Sequence, residues 1–291
     1  MIAHDSKNNS AMKFKYSIGS TYVFIPIILI LFFLCYHSTI MWMLDRWGGV
    51  DSYYSHGYLI PFISGYLVWL KREELKNTPV EYTSAGLVLI IFALLLHILG
   101  TILYIFSISG FSILFFIIGA VLFLFGWKIT RVVWFPLAFL VFMFPLPLSL
   151  LSAITFPLKI LVAKAGVAVV NFLGIPVIRN GFDISIPGGN LVVGNPCSGL
   201  RSLISFLALG SVLAYFSSSS LFLKVILFFS SIPIAILSNA VRVPVLILIS
   251  HYYGISAAAP ESIWHSGTGM MVFIVGLVLL MGLDRIFQWK N

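Results

Sequence analysis

Charge is scarce in this chain. Asp, Glu, Lys and Arg together make up 9% of its 291 residues, where a soluble globular domain carries about 25%. That scarcity excludes an ordinary water-soluble fold. Cysteine is scarcer still, with Cys35 inside the first apolar run and Cys197 far along the chain. No structural disulfide is expected between them, and no Cys/His spacing offers the four ligands of a zinc site, so neither a metal nor a cofactor is implied. A cleavable leader is not expected either, because Met1–Tyr16 is polar and the first apolar run is long enough to span a bilayer.

What is present in quantity is apolar. Hydrophobic residues make up 60% of the chain, 26 of them Phe, and the mean hydropathy is +1.07. The chain reads as an all-α polytopic membrane protein: residues 1–19 form a cytoplasmic N-terminal tail, and residues 20–291 form one transmembrane domain. The net charge of +8 does not point to nucleic acid, since there is no soluble basic face to carry it. In a membrane chain basic residues gather in cytoplasmic loops.

A helix needs roughly 20 apolar residues to cross the hydrocarbon core. Candidate spans are Tyr22–Met43, Ser52–Leu70, Ala85–Phe106, Ile108–Trp127, Val132–Leu151, Cys197–Phe216, a run opening at Leu221, and Gly267–Phe287. This predicts a bundle of about eight transmembrane helices. Ser152–Pro176 is ambiguous. It carries Lys159 and Lys164 and is bracketed by Pro157 and Gly174, so it either crosses or lies in the interface, with its lysines as anchors to lipid phosphates.

Orientation follows from the basic residues. Lys7, Lys13, Lys15, Lys71, Arg72, Lys76, Lys128, Arg131, Lys224, Arg285 and Lys290 fall at alternate ends of the spans. The positive-inside rule places those ends, and both termini, in the cytoplasm of a multi-pass cell-membrane protein. The opposite, extracytoplasmic face then holds Asp45–His56, the region Ser152–Gly194, the stretch around Asn239–Arg242, and Ala257–Ser266. Within it, "VIRNGFDISIPGGNLVVGNP" is non-helical, with turn signals at Asn180-Gly181 and Gly188-Gly189-Asn190 flanking short β-type pieces. A small hairpin-like flap ahead of Cys197 is the expectation.

Asn195-Pro196-Cys197 has the grammar of a helix start, Asn as N-cap and Pro at the first helical position. Cys197 in the first turn would sit at the positive end of the helix dipole, which lowers a thiol's pKa and favours the nucleophilic thiolate. Arg201, four residues on, would share its helical face and add positive charge. The plainer alternative is a small buried hydrophobe.

Two further polar groups fall on the same face of the membrane. Arg242 lies about two thirds along a run that would be ~48 Å long as one helix, with Asn239 one turn below and Pro244 expected to break the helix just beyond. Its alternative is a snorkelling interfacial arginine. His265 precedes the last span, with Glu261 four residues earlier to orient the imidazole, and Gly267 and Gly269 admit another backbone. Its alternative is a solvated loop histidine. Taken together, the three have complementary chemistry: a thiolate attacks a peptide carbonyl, an arginine stabilises the oxyanion, and a histidine protonates the leaving amine. Two other classes compete. A transporter is suggested by polar groups in hydrophobic runs broken at Pro145-Leu146-Pro147 and Pro244. A non-catalytic subunit of a surface-polysaccharide assembly system would not depend on the thiol.

At these residues the sequence resembles the exosortase/archaeosortase family of membrane-embedded cysteine transpeptidases. The resemblance rests on Cys197-Ser198-Gly199, Asn239-Ala240-Val241-Arg242 and His265, together with Tyr54–Arg72 ("YSHGYLIPFISGYLVWLKR") and the Gly-rich stretch before the cysteine. It spans about Trp47 to the C-terminus. It implies a bundle of about eight helices and Cys197, Arg242 and His265 as catalytic residues. Arg201, Asn239, His56 and Glu261 are supporting or substrate-binding candidates, and His56 is a possible substitute for His265. The implied substrates are exported proteins with a C-terminal sorting signal: a short Pro-containing motif (PEP-CTERM in the best-known branch), a hydrophobic helix and a basic tail. The protein is cut through a Cys thioester, which is passed to water or to an amine, with a lipid or polysaccharide as a possible acceptor.

Overall fold

The computed structural model describes residues 18–49, 52–186, 189–192, 198–259 and 261–289. Long apolar runs have no water with which to satisfy their backbone, so they close into helices. α1 (Ile18–Gly48) is followed by a 3-10 turn at Ser55–Tyr58, α2 (Leu59–Leu70) and the short polar α3 (Arg72–Asn77). The expected span Ser52–Leu70 is thus a turn and a 12-residue helix, not one long helix. α4 (Ala85–Ile102) packs closely on α5 (Phe106–Val132). α5 breaks at Gly126 (φ +79), where the Glu81 carbonyl occupies the space of a Cβ. Polar side chains in this part satisfy one another: Tyr36 OH meets Ser112 Oγ at 3.0 Å, and Ser109 Oγ bonds both Thr39 Oγ1 at 2.6 Å and His97 Nδ1 at 2.7 Å.

The expected span Val132–Leu151 does not exist as one helix. α6 (Trp134–Phe139) passes into a 3-10 turn (Leu140–Met143), and the chain is then non-helical up to Pro147. Phe144 and Leu146 each precede a proline, which disfavours the helical conformation. The backbone freed there is used: Leu146 N donates to Tyr54 OH at 3.1 Å, and Trp47 Nε1 donates to the Met143 carbonyl at 2.9 Å. α7 (Leu148–Phe172) then takes up the ambiguous stretch as one 25-residue helix.

The predicted hairpin is a three-stranded antiparallel meander in the order β1-β2-β3: β1 (Ile178–Asn180), β2 (Asp183–Ile186) and β3 (Gly189–Val192). Asn180 pairs with Asp183 across Gly181-Phe182, and Ile184 and Ile186 point inward. α8 (Leu200–Phe216), α9 (Leu221–Tyr253) and α10 (Ile263–Trp289) complete the chain. α9 runs on through Pro233 and Pro244, so the expected break at Pro244 is absent. Neighbouring helices allow proline inside a membrane helix at low cost.

Among the described residues α4, α5, α7, α9 and α10 are long and apolar enough to cross a membrane, while α8 and the α6 segment are shorter. The chain is a mostly helical, multi-pass membrane protein. Its apolar interior falls into three clusters. One joins α1, α2, α5, α6, the start of α7 and α8, and a second joins α8, α9 and α10. The third sits on α7, the sheet and the distal part of α9 (Val243, Leu246, Ile247) with Ala258.

Candidate active site

The site is built where the starts of α8 and α10 meet α9. Arg242 is 7% exposed about two thirds along α9, not snorkelling at a helix end. Its Nη2 donates to the His265 carbonyl at 2.9 Å and its Nε lies 3.4 Å from Thr268 Oγ1. Thr268 also donates to the His265 carbonyl, at 3.0 Å. Gly269 makes room for this: a Cβ there would lie 3.3 Å from Nη2. The expectation that Gly267 and Gly269 admit another backbone is therefore modified, because at Gly269 the neighbour is a guanidinium.

His265 stands in the first turn of α10, which begins at Ile263 and not at Gly267. The residue is 8% exposed. Its backbone N–H donates to Ser262 Oγ at 3.0 Å, and its Nδ1 lies 3.2 Å from the Ala258 carbonyl. A carbonyl only accepts, so Nδ1 carries the proton and Nε2 is the basic nitrogen of the neutral ring. Glu261, expected to orient the imidazole, is exposed. The Ala258 carbonyl holds the ring instead.

Asn239, one turn before Arg242, is fully buried. It packs on Gly199, whose φ is +82; a Cβ at that glycine would lie 2.9 Å from Asn239 Nδ2. Ser198 is fully buried beside it, and its Oγ accepts from Leu200 N at 3.3 Å. Asn195-Pro196-Cys197 lies outside the described residues. Even so, the expected helix start needs correction. α8 opens at Leu200 with left-handed Gly199 as its N-cap. What the fold fixes is the chain two residues after the thiol, held against the turn of α9 that precedes Arg242.

Arg201 turns elsewhere: its Nε donates to the Ser52 carbonyl at 2.7 Å. One turn on, Ser205 Oγ is 3.3 Å from His56 Nδ1. Ser52 in turn bonds back to α1 and caps Tyr54 N at 2.8 Å. Arg201 and His56 thus tie the start of α8 to the turn ahead of α2. In that turn burial, helped by the nearby Arg201 charge and partly opposed by the Phe142 carbonyl, pushes His56 down to about 4. Its ring is neutral at physiological pH. Beside this turn a cavity of about 300 Å³ is lined by Trp42, Asp45, Ser52, Tyr54, Pro145 and Leu148, among others.

Sequence reasoning missed Thr268, Ser262, Ser205 and Ser52. Thr268 was within reach, because it follows His265 by three residues and faces the same way once α10 is begun at Ile263. The others act through contacts between distant segments that no local spacing reveals.

A bundle of apolar helices holding a buried arginine against the backbone of a buried histidine defines a multi-pass membrane protein with a buried polar site. The family model of the transmembrane exosortase (Exosortase_EpsH) matches residues 42–282, and the chain belongs to that family. No curated protein and no solved structure matches it.

Proposed function

We propose that this protein is a membrane-embedded cysteine transpeptidase acting on exported proteins that end in a short motif, a hydrophobic helix and a basic tail. The observation that carries the reading is the contact chain Gly199–Asn239–Arg242–His265, which anchors the segment following Cys197 beside a buried cation and a buried imidazole. Family membership supports the same class of reaction.

In this reading His265 Nε2 takes the thiol proton of Cys197, and the thiolate attacks the carbonyl carbon of the scissile peptide bond. The bond's π electrons move to oxygen, and Arg242 stabilises that oxyanion. Collapse expels the amine, which takes its proton from protonated His265 Nε2, leaving a thioester on Cys197. An acceptor amine, hydroxyl or water then attacks the thioester, gives its proton to Nε2, and releases the thiolate. Asn239 and Gly199 are positioning residues, and Arg201 and His56 hold the start of α8. The cavity beside Ser52 takes a side chain of the motif. The basic ends of the helices face the cytoplasm, so the site works on the extracytoplasmic side, where a substrate anchored by its own basic tail presents its motif.

The test is a processing assay in cells making a candidate substrate together with wild type or Cys197→Ala at equal abundance. Removal of the tail by wild type alone is expected. Equal processing by both overturns the reading.

A further inference from the structure

Thr268 is buried near the start of α10, three residues after His265, and the chemistry above gives it no part. Its contacts do. The hydroxyl donates to the His265 carbonyl at 3.0 Å, and the same oxygen lies 3.4 Å from Arg242 Nε, a group that can only donate. Arg242 Nη2 donates to that same carbonyl at 2.9 Å. The three bonds close a cycle that takes in one edge of the guanidinium, the threonine hydroxyl and the His265 carbonyl.

The residue types explain why the cycle forms here. Threonine is stiff about its first side-chain torsion, and inside a helix its hydroxyl turns back to the carbonyl three residues earlier. With the proton spent on that carbonyl, the oxygen's lone pairs are left for Nε. Valine would fill the same space and offer Nε nothing. Gly269 completes the seat: a Cβ there would lie 3.3 Å from Nη2 and 3.5 Å from Cζ, so the guanidinium rests against the backbone of α10. A planar fork on a long, flexible stem is held in one orientation by bonds along its edge and a wall beside it. His265 lends its backbone to this cycle while its imidazole is fixed by the Ala258 carbonyl. One turn of α10 therefore sets both the cation and the imidazole.

We propose that Thr268 is a positioning residue, whose hydroxyl holds the Arg242 guanidinium in the orientation that meets the oxyanion and ties that orientation to His265. This role rests on the proposed function, in which Arg242 is the oxyanion donor. Thr268 acts through Arg242 and not on the substrate. A donor aimed in advance counts when charge develops on the carbonyl oxygen, so loss of the aim lowers kcat and leaves KM alone.

The experiment is tail removal in proteoliposomes over a range of substrate concentrations, using an exported protein that wild type processes, with thermal unfolding measured in parallel. Thr268→Val is expected to lower kcat about 10- to 100-fold, the scale of a hydrogen bond to a charged group, with KM unchanged. Thr268→Ser restores the hydroxyl and is expected to recover most of that loss. In an Arg242→Lys background the fork is already gone, and Thr268→Val should then cost less than about threefold. If Thr268→Val does not fold, Thr268→Ala against Thr268→Ser makes the same comparison. A wild-type kcat for Thr268→Val, a rise in KM alone, or no recovery in Thr268→Ser overturns the proposal. So does an equal fall with and without the Arg242 fork, because the hydroxyl would then act apart from Arg242. Cys197→Ala separates the two levels. Processing by that variant overturns the proposed function itself, whereas its inactivity beside a fully active Thr268→Val overturns the positioning role alone.

Discussion

Gly199→Ala is the substitution whose cost the structure allows to be worked out. The residue has φ +82, a conformation that costs a residue with a Cβ roughly 1–2 kcal/mol. The added methyl also meets Asn239 Nδ2 at 2.9 Å and Cγ at 3.2 Å, closer than such contacts settle. Asn239 is fully buried on α9 and cannot swing out, so the segment carrying Ser198 and Cys197 must move. Together these give a strain of about 1–3 kcal/mol. If it is released at the site, it corresponds to a loss of about 5- to 150-fold in processing rate at ~1.4 kcal/mol per decade. The assay is tail removal in proteoliposomes at matched protein amounts, alongside thermal unfolding of the purified protein. Asn239→Ala removes Cγ and Nδ2, so Gly199→Ala in that background should cost only the dihedral part, about 1–2 kcal/mol. A wild-type rate for Gly199→Ala, or the same cost with and without the Asn239 amide, would refute the reasoning.

Other outcomes follow from the same geometry. Arg242→Lys keeps the charge but loses the fork that reaches both the His265 carbonyl and Thr268. We expect processing to fall about 10²- to 10³-fold, as for loss of an oxyanion donor, read as kcat at saturating substrate. Leu148→Trp fills the cavity beside Ser52 and should raise KM with little change in kcat, as measured by substrate titration. His56 is already neutral above about pH 4, so a limb of the pH–rate profile near neutrality should persist in His56→Gln. Disappearance of that limb would give His56 the acid–base role assigned here to His265.

The residues legible in the sequence were those whose chemistry is unusual for their surroundings. Arg242 and Asn239 stood out as polar groups in an apolar run, and the structure buries both on one stretch of α9. The membrane class and the β-type pieces before Cys197 were equally readable, from composition and turn residues. What failed was grammar that depends on neighbours. Pro196 suggested a helix start, yet Gly199 is left-handed and α8 opens only at Leu200. Pro244 suggested a break, yet α9 continues because α7 and α10 pack around it. Val132–Leu151 had the length of a span, but Pro145 and Pro147 turn it into a short helix and a non-helical corner anchored by Tyr54 and Trp47. Glu261 had the right spacing to orient His265, but a backbone carbonyl, invisible to any residue pattern, does so.

The central claim is that Cys197 is a nucleophile served by Arg242 and His265. The direct measurement is intact mass of the enzyme quenched in acid during substrate turnover, with wild type and Cys197→Ala compared. The account predicts a wild-type adduct equal in mass to the substrate upstream of the cut, bound at Cys197, released by hydroxylamine and absent from Cys197→Ala. Continued cleavage by Cys197→Ala, or a hydroxylamine-sensitive adduct on any other residue, would contradict it.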